Sequence, residues 1–460
     1  MSAFVQRFRN GDIFPWERDF TREALNVAVP IVIQTLFMAL MHILDNVMIG
    51  RLGEVELAAV TQANRVTFLF QLVIFGLASG TSTLVAQYWG KQDLQGIHAV
   101  MGLALCISLG AAVCFLIPCM LFPRTLMRLL LEEEAAVTAG AQYLPIIGIG
   151  YLFTAVSQCL VTVQKSTEQA RLPMVAGITA LFVNTFLNYC LIFGNLGFPR
   201  MGVRGGAVAT VVALFVEMSI VFLAGRFLHL ATDARLSSLI PRSGAFVKKY
   251  LSVAFPVILN EGFWSLGMVM YSVVYGHMST GAVAAMSIFN TVEQVSYATQ
   301  RGVTHACAVL VGKRIGAGRE EEARRTSRRM LAAGVPSALL AGALLIALSG
   351  PLISLFNVSA QAAADARSLV AVSALTMLLS QFASLLVVGV LRAGGDVKYS
   401  LVLDVGTVWA IGVPLVALSG LVLGWPIHMV YLMSRLESVV KVLFGFWRLR
   451  SGKWIHNLVR

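Results

Sequence analysis

Charge is scarce in this chain: Asp, Glu, Lys and Arg make up 13% of its 460 residues and apolar types 57%. A soluble globule carries nearer a quarter charged residues. With a mean hydropathy of +0.78, a water-soluble fold is excluded and a membrane one implied. Reactive constellations are missing as well. There is no DDxxD, HExxH, Walker-type loop or GxSxG, and the seven His are scattered, which argues against an enzyme such as a polytopic membrane transferase. The six Cys, at positions 106, 114, 119, 159, 190 and 307, include no CxxC and have no neighbouring His. They are expected to be packing residues rather than metal ligands, and no cofactor is expected. Residues 1–22 contain Arg7, Arg9, Glu17, Arg18, Asp19 and Arg22 but no apolar core of a cleavable signal. The first apolar stretch is therefore expected to direct insertion itself, with Pro15 and Trp16 opening an interfacial segment.

What the chain has instead is twelve apolar stretches, near 24–49, 57–88, 97–122, 137–163, 173–194, 205–230, 250–276, 281–312, 329–350, 362–390, 399–420 and 425–447. Each is about the 20 residues that a helix needs to cross some 30 Å of hydrocarbon, and a helix satisfies its own backbone polar groups there. The stretches form two copies of six at an offset of 226 residues: Val27, Ala28 and Pro30 over Val253, Ala254 and Pro256, Asn64 over Asn290, Gly76 over Gly302, Gly90 over Gly316. Shared hydrophobicity alone would match Leu and Val and scatter Gly, Pro and Asn, so the halves descend from a duplication. The register slips near Phe122 and Phe356 and returns with Gly194 over Gly420. Six spans per copy give both the same orientation. The expected fold is an all-α membrane protein, two six-helix bundles related by a pseudo-two-fold axis along the membrane normal, an arrangement found in transporters. The expected domains are residues 1–230 and 250–460, joined by a polar cytoplasmic linker at 231–249.

The net charge of +12 is a matter of topology. With the first span running outward, 25 of the 35 Lys and Arg fall in cytoplasmic segments and 6 in outer loops, which places both termini in the cytoplasm. The densest cluster, Lys313, Arg314, Arg319, Arg324, Arg325, Arg328 and Arg329, is expected to contact anionic lipid rather than nucleic acid.

An ionisable group at bilayer depth costs several kcal/mol unless it is paired, neutral or facing water. Asp45, in the outer part of the first span, is the foremost such group, and its counterpart in the second half is Tyr271. Desolvation favours its protonated form, and a sodium ion or hydrogen-bond donors favour its charged form, so it could load and unload a cation. The bland alternative is a packing clamp through His42, Asn46 or Arg65. Asn184 and Asn188 stand one turn apart on one face of the fifth span, and Thr210 follows in the sixth beyond a glycine-rich turn that implies close helix approach. Paired amides alone would more often be helix glue. In the second half Arg435, Glu437 and Lys441 are expected to snorkel, Glu293 and Arg301 lie two turns apart, and Glu217 and Asp404 have no evident partner.

The segment Asp45-x4-Gly50-Arg51-Leu52-Gly53, the pair Asn184/Asn188, the run Ile192-Phe193-Gly194...Gly197-Phe198-Pro199...Gly202-Val203...Ala207...Ala209-Thr210, and Leu391-Arg392-Ala393-Gly394-Gly395-Asp396 together resemble multidrug and toxic compound extrusion (MATE) transporters, on their bacterial NorM-like branch. The likeness covers about residues 20 to 450. It implies a cation-coupled antiporter of a bacterial inner membrane that exports amphipathic, often cationic, small organic compounds, with H+ or Na+ as coupling ion and no other cofactor. The residues that the resemblance assigns to coupling are Asp45, Asn184, Asn188 and Thr210. Gln34, Glu261, Tyr271 and Gln381 are the expected substrate-cavity residues. Members with a C-terminal sodium site carry carboxylates where this chain has Trp264 and Gln381, which shifts coupling to the N-terminal half. A duplicated chain can complete its own cavity, so a monomer is expected. The rival transport reading is a lipid-linked precursor flippase, which should have a strongly cationic cavity; few Lys or Arg lie within these spans.

Overall fold

A computed structural model describes residues 18–240, 243–354 and 359–459. Among them are twelve long helices and no named strand: α1 (Arg18–Gly50), α2 (Glu54–Gly90), α3 (Leu94–Leu121), α4 (Glu134–Ser166), α5 (Arg171–Phe193), α6 (Val203–Phe227), α7 (Gly244–Met278), α8 (Thr280–Gly316), α9 (Glu320–Ser354), α10 (Ala360–Arg392), α11 (Val397–Val422) and α12 (Ile427–Ser451). All twelve coincide with the expected spans. Ten of the helices are long and apolar enough to span a membrane by composition alone; α8 and α12 are the other two, and both carry buried charge. The segment at Pro15 and Trp16 lies outside the described residues.

Caps and breakers fix the helix ends. Asp93, Ser279 and Ser359 accept backbone N–H bonds from Gly96, Ala282 and Ala362 at the starts of α3, α8 and α10, satisfying donors that a helix leaves orphaned. Gly194 closes α5 in the left-handed region at φ 76°, a conformation open to glycine at little cost. At Gly205 a Cβ would sit 2.5 Å from the carbonyl oxygen of Leu191. That is the close approach expected of the glycine-rich turn.

The chain divides into two compact units. One comprises Ile33–Val85 and Asp93–Ile258. In it α5 packs on α6, α6 on α4 and α4 on α3, around Phe70, Tyr143, Leu144 and Tyr151. The other comprises the chain up to Val32, Ala86–Gln92 and Leu259 onward. Its core gathers Tyr271, Phe289, Leu345 and Tyr431, and α8 packs on α9 and α10.

The duplicated glycines have a packing cause. A Cβ at Gly90 would overlap the Lys313 carbonyl, and one at Gly316 would overlap the Gln87 carbonyl, so the end of α2 and the end of α8 touch through backbone. Gly316→Val is expected to lower the melting temperature of the detergent-purified protein, with a cost of at least about 1–3 kcal/mol, as for overpacking generally. Unchanged melting would show that the two helices can part freely.

Of the basic cluster, Arg314 and Lys313 bond Glu23 of α1 at 2.8 and 3.3 Å, so these two cations serve internal packing. Arg319, Arg325 and Arg328 remain exposed. At the start of the linker, Asp233 is bonded by Arg226 of α6 and by His229, which hold its carboxyl below the usual range. Four of the six Cys are buried, whereas Cys106 and Cys114 are exposed on α3.

Candidate functional site

The first unit joins all four expected coupling residues in one hydrogen-bonded chain. Asn188 donates from Nδ2 to Asp45 Oδ1 at 2.5 Å and to Asn184 Oδ1 at 3.0 Å. Asn184 in turn donates to Thr210 Oγ1 at 3.3 Å, and the Thr210 hydroxyl donates to the Gly206 carbonyl at 3.0 Å. Both amides are fully buried, and Asp45 at the head of the chain is half-buried. Local sequence explains the arrangement: the i, i+4 spacing stacks the amides on one face of α5, Gly194 ends that helix, and close packing at Gly205 brings Thr210 of α6 alongside.

The carboxylate therefore faces a ladder of neutral dipoles. Of the clamp partners considered, the side chains of His42 and Asn46 lie outside the described residues, and Arg65 is exposed. Asn188 Oδ1 is buried without a hydrogen-bond partner, so an oxygen with free lone pairs sits one residue from the carboxylate. Buried acceptors of this kind are uncommon and ask for a ligand or a proton. An acid, amide oxygens and a hydroxyl form the donor set that a proton or a hard monovalent cation requires. Among the described residues no group of three His, Cys, Asp or Glu is arranged for a metal ion.

The expected cavity residues are spread over both units. Gln34, 3% exposed, has an unpartnered Oε1 in the first. In the second, Gln381 is fully buried with neither amide atom partnered. Glu261 accepts from Arg392 at 2.8 Å, and Tyr271 donates to Glu437 at 2.7 Å.

Several charged residues behave otherwise than expected. Arg435, Glu437 and Lys441 do not snorkel: Lys441 bonds Asp404 at 2.8 Å and Glu437 at 3.1 Å, and Arg435 bonds Glu293 at 2.9 Å. Glu293 therefore pairs with α12, while Arg301 is exposed. Snorkelling suits a charge near a helix end that has no counter-ion; these charges have one. Glu217 lies buried with the charge of Lys165 nearby. Asn260 is the polar residue that sequence reasoning missed. It stands 226 residues after Gln34, and that repeat register was the available signal.

A family model described as MatE matches residues 30–190 and again 256–418. The chain belongs to the MatE family. The two matched segments begin 226 residues apart, the offset at which the duplicated glycines and prolines repeat. MatE proteins are transporters and not enzymes, so this is a multi-pass membrane transporter. Its curated relatives include the probable multidrug resistance protein NorM of Thermotoga maritima, 24% identical across 95% of this chain and 93% of that one. Another is the multidrug resistance protein PmpM of Pseudomonas aeruginosa, 27% identical across 85% and 82%. Among solved structures, a MATE protein crystallised in complex with MaL6 superposes at TM-score 0.85 with 20% identity, covering 94% of this chain and 97% of that one. A MATE family transporter in an outward-facing conformation superposes at 0.84 with 19% identity and the same coverage. These superpositions show the twelve-helix MATE fold.

Proposed function

We propose that this MatE-family chain exports small amphipathic, often cationic, organic compounds in exchange for inward movement of H+ or Na+. The observation that carries the reading is the continuous chain from Asp45 through Asn188 and Asn184 to Thr210. Relatives named as multidrug resistance proteins favour drug efflux over the lipid-linked precursor flippase. The transporter works as a monomer in a bacterial inner membrane with both termini cytoplasmic, and residues 1–230 and 250–460 are its two homologous lobes. Gln34 in the first unit, and Glu261, Tyr271 and Gln381 in the second, are the residues we assign to substrate contact.

In this mechanism Asp45, ionised, accepts from Asn188. A proton on Asp45, or a sodium ion held by Asp45 with oxygens of Asn184, Asn188 and Thr210, changes the charge at the head of the ladder. The preferred conformation then shifts. A ligand moves such an equilibrium only through its difference in affinity for the two forms, and about 1.4 kcal/mol suffices for a tenfold change.

The test is efflux of a cationic dye from everted vesicles driven separately by a pH gradient and by a sodium gradient. Transport driven by one gradient and abolished by its collapse supports the exchange. Dye movement indifferent to both gradients would refute it.

A further inference from the structure

Three buried charges in the second unit take no part in the Asp45 ladder. Lys441 Nζ of α12 lies 2.8 Å from Asp404 Oδ1 and 3.1 Å from Glu437 Oε1. The side chains are 6% exposed for Lys441, 13% for Asp404 and 10% for Glu437. The far oxygen of each carboxylate is held by a neutral donor from α7: Asn260 Nδ2 donates to Asp404 Oδ2 at 2.9 Å, and the Tyr271 hydroxyl to Glu437 Oε2 at 2.7 Å. With their outer oxygens tied back, the inner oxygens converge on one point, and the ammonium occupies it.

Two further observations mark this point as built for a cation. Asn260, 2% exposed, keeps a buried Oδ1 with no partner beside the cluster. Gly412 ends a π-helical turn of α11, Val408–Gly412; a Cβ there would overlap the Tyr271 hydroxyl and lie 2.7 Å from Glu437 Oε2. The glycine thus leaves room for the phenol and the carboxylate, and it sits in a π-helical turn of the kind frequent at functional sites. The neighbouring charges are matched among themselves, Arg392 with Glu261 and Arg435 with Glu293. That leaves two acids against one ammonium, and a buried negative excess attracts a monovalent cation strongly because the surroundings screen it little.

We propose that Asp404 and Glu437, positioned by Asn260 and Tyr271, form a monovalent-cation site that the chain fills with its own Lys441 ammonium. The ligand class is a small primary ammonium. The site rejects free cations while Lys441 is present and accepts one when that side chain is removed. It is separate from the site at Asp45 and stands or falls independently of the coupling assigned there.

The experiment uses the full-length protein in detergent, carrying Asp45→Asn so that the first unit contributes no cation response. Melting temperature is followed against methylammonium chloride, with choline chloride at equal ionic strength as the control. With Lys441→Ala added, the melting point is expected to fall in choline and to recover saturably in methylammonium by several degrees, since a ligand that binds only the folded form stabilises it. With Lys441 intact the two salts act alike. Adding Tyr271→Phe to Lys441→Ala is expected to raise the half-maximal methylammonium concentration several-fold, an effect that general salt stabilisation would not show. If Lys441→Ala alone does not fold, Lys441→Ala with Glu437→Gln restores the native net charge of the cluster and leaves Asp404 without its ammonium; it too should respond to methylammonium. Equal responses to the two salts in a folded variant lacking Lys441, or a methylammonium response of the same size with Lys441 present, would overturn the proposal.

Discussion

Asp45→Asn is expected to reduce gradient-driven dye efflux at least tenfold while leaving the melting temperature close to that of the parent. The substituted amide has nearly the shape of the carboxylate, and its oxygen can accept the same bond from Asn188 Nδ2 that Asp45 Oδ1 accepts at 2.5 Å. What it cannot do is change charge. Under the proposed mechanism the driving ion acts through that change, and losing even about 1.4 kcal/mol of bias removes a factor of ten. Asn188→Ala is the informative companion. It leaves Asp45 able to titrate but strips a donor from both Asp45 and the buried Asn184 Oδ1, at a cost of about 1–3 kcal/mol for the unsatisfied group. The first variant should therefore lose coupling without stability, and the second should lose stability as well. Undiminished efflux driven by the cation gradient in Asp45→Asn vesicles would remove Asp45 from the mechanism.

The twelve helices were legible because hydrophobic length and the repeated Gly, Pro and Asn are properties of the linear chain. The duplication added a check that composition lacks, since Gly90 and Gly316 recur at the repeat offset and each lies against a backbone carbonyl that a larger residue would strike. The first-unit ladder was legible for a related reason. Its four residues fall on an i, i+4 pair, a short turn and a family motif, all readable locally apart from the one long step between Asp45 and Asn188. The second unit was not legible in the same way. Asp404, Lys441 and Glu437 stand out as charged residues at bilayer depth, but apart from the i, i+4 contact of Lys441 with Glu437 their partners lie on other helices, and Asn260, which bonds Asp404, is 144 positions away. Periodicity records which face a residue occupies, not which face of another helix meets it. For that reason the charges of α12 were expected to reach for the interface, when each has a counter-ion inside the unit.

Arg435→Met is expected to cost several kcal/mol of stability. Glu293 Oε1 accepts from Arg435 Nη2 at 2.9 Å, from the Ser373 hydroxyl at 3.0 Å and from the Tyr431 hydroxyl at 3.0 Å, so three donors converge on one oxygen. The pair is mostly buried, with side-chain exposures of 17% for Arg435 and 12% for Glu293, and the guanidinium also lies 4.5 Å from the Tyr431 ring centroid. Removing the cation leaves an acid with two neutral donors and no counter-charge. Breaking a buried pair from one side typically costs about 3–5 kcal/mol, whereas replacing both partners by uncharged groups of similar volume is often nearly neutral. The double variant Glu293→Gln/Arg435→Met should therefore recover most of the melting temperature lost by Arg435→Met, and the sum of the single effects should exceed the double by several kcal/mol. Thermal unfolding in detergent of the four proteins of the cycle measures this directly. Additive effects would mean that α8 and α12 are held together by their apolar contacts and that the ion pair is incidental to them.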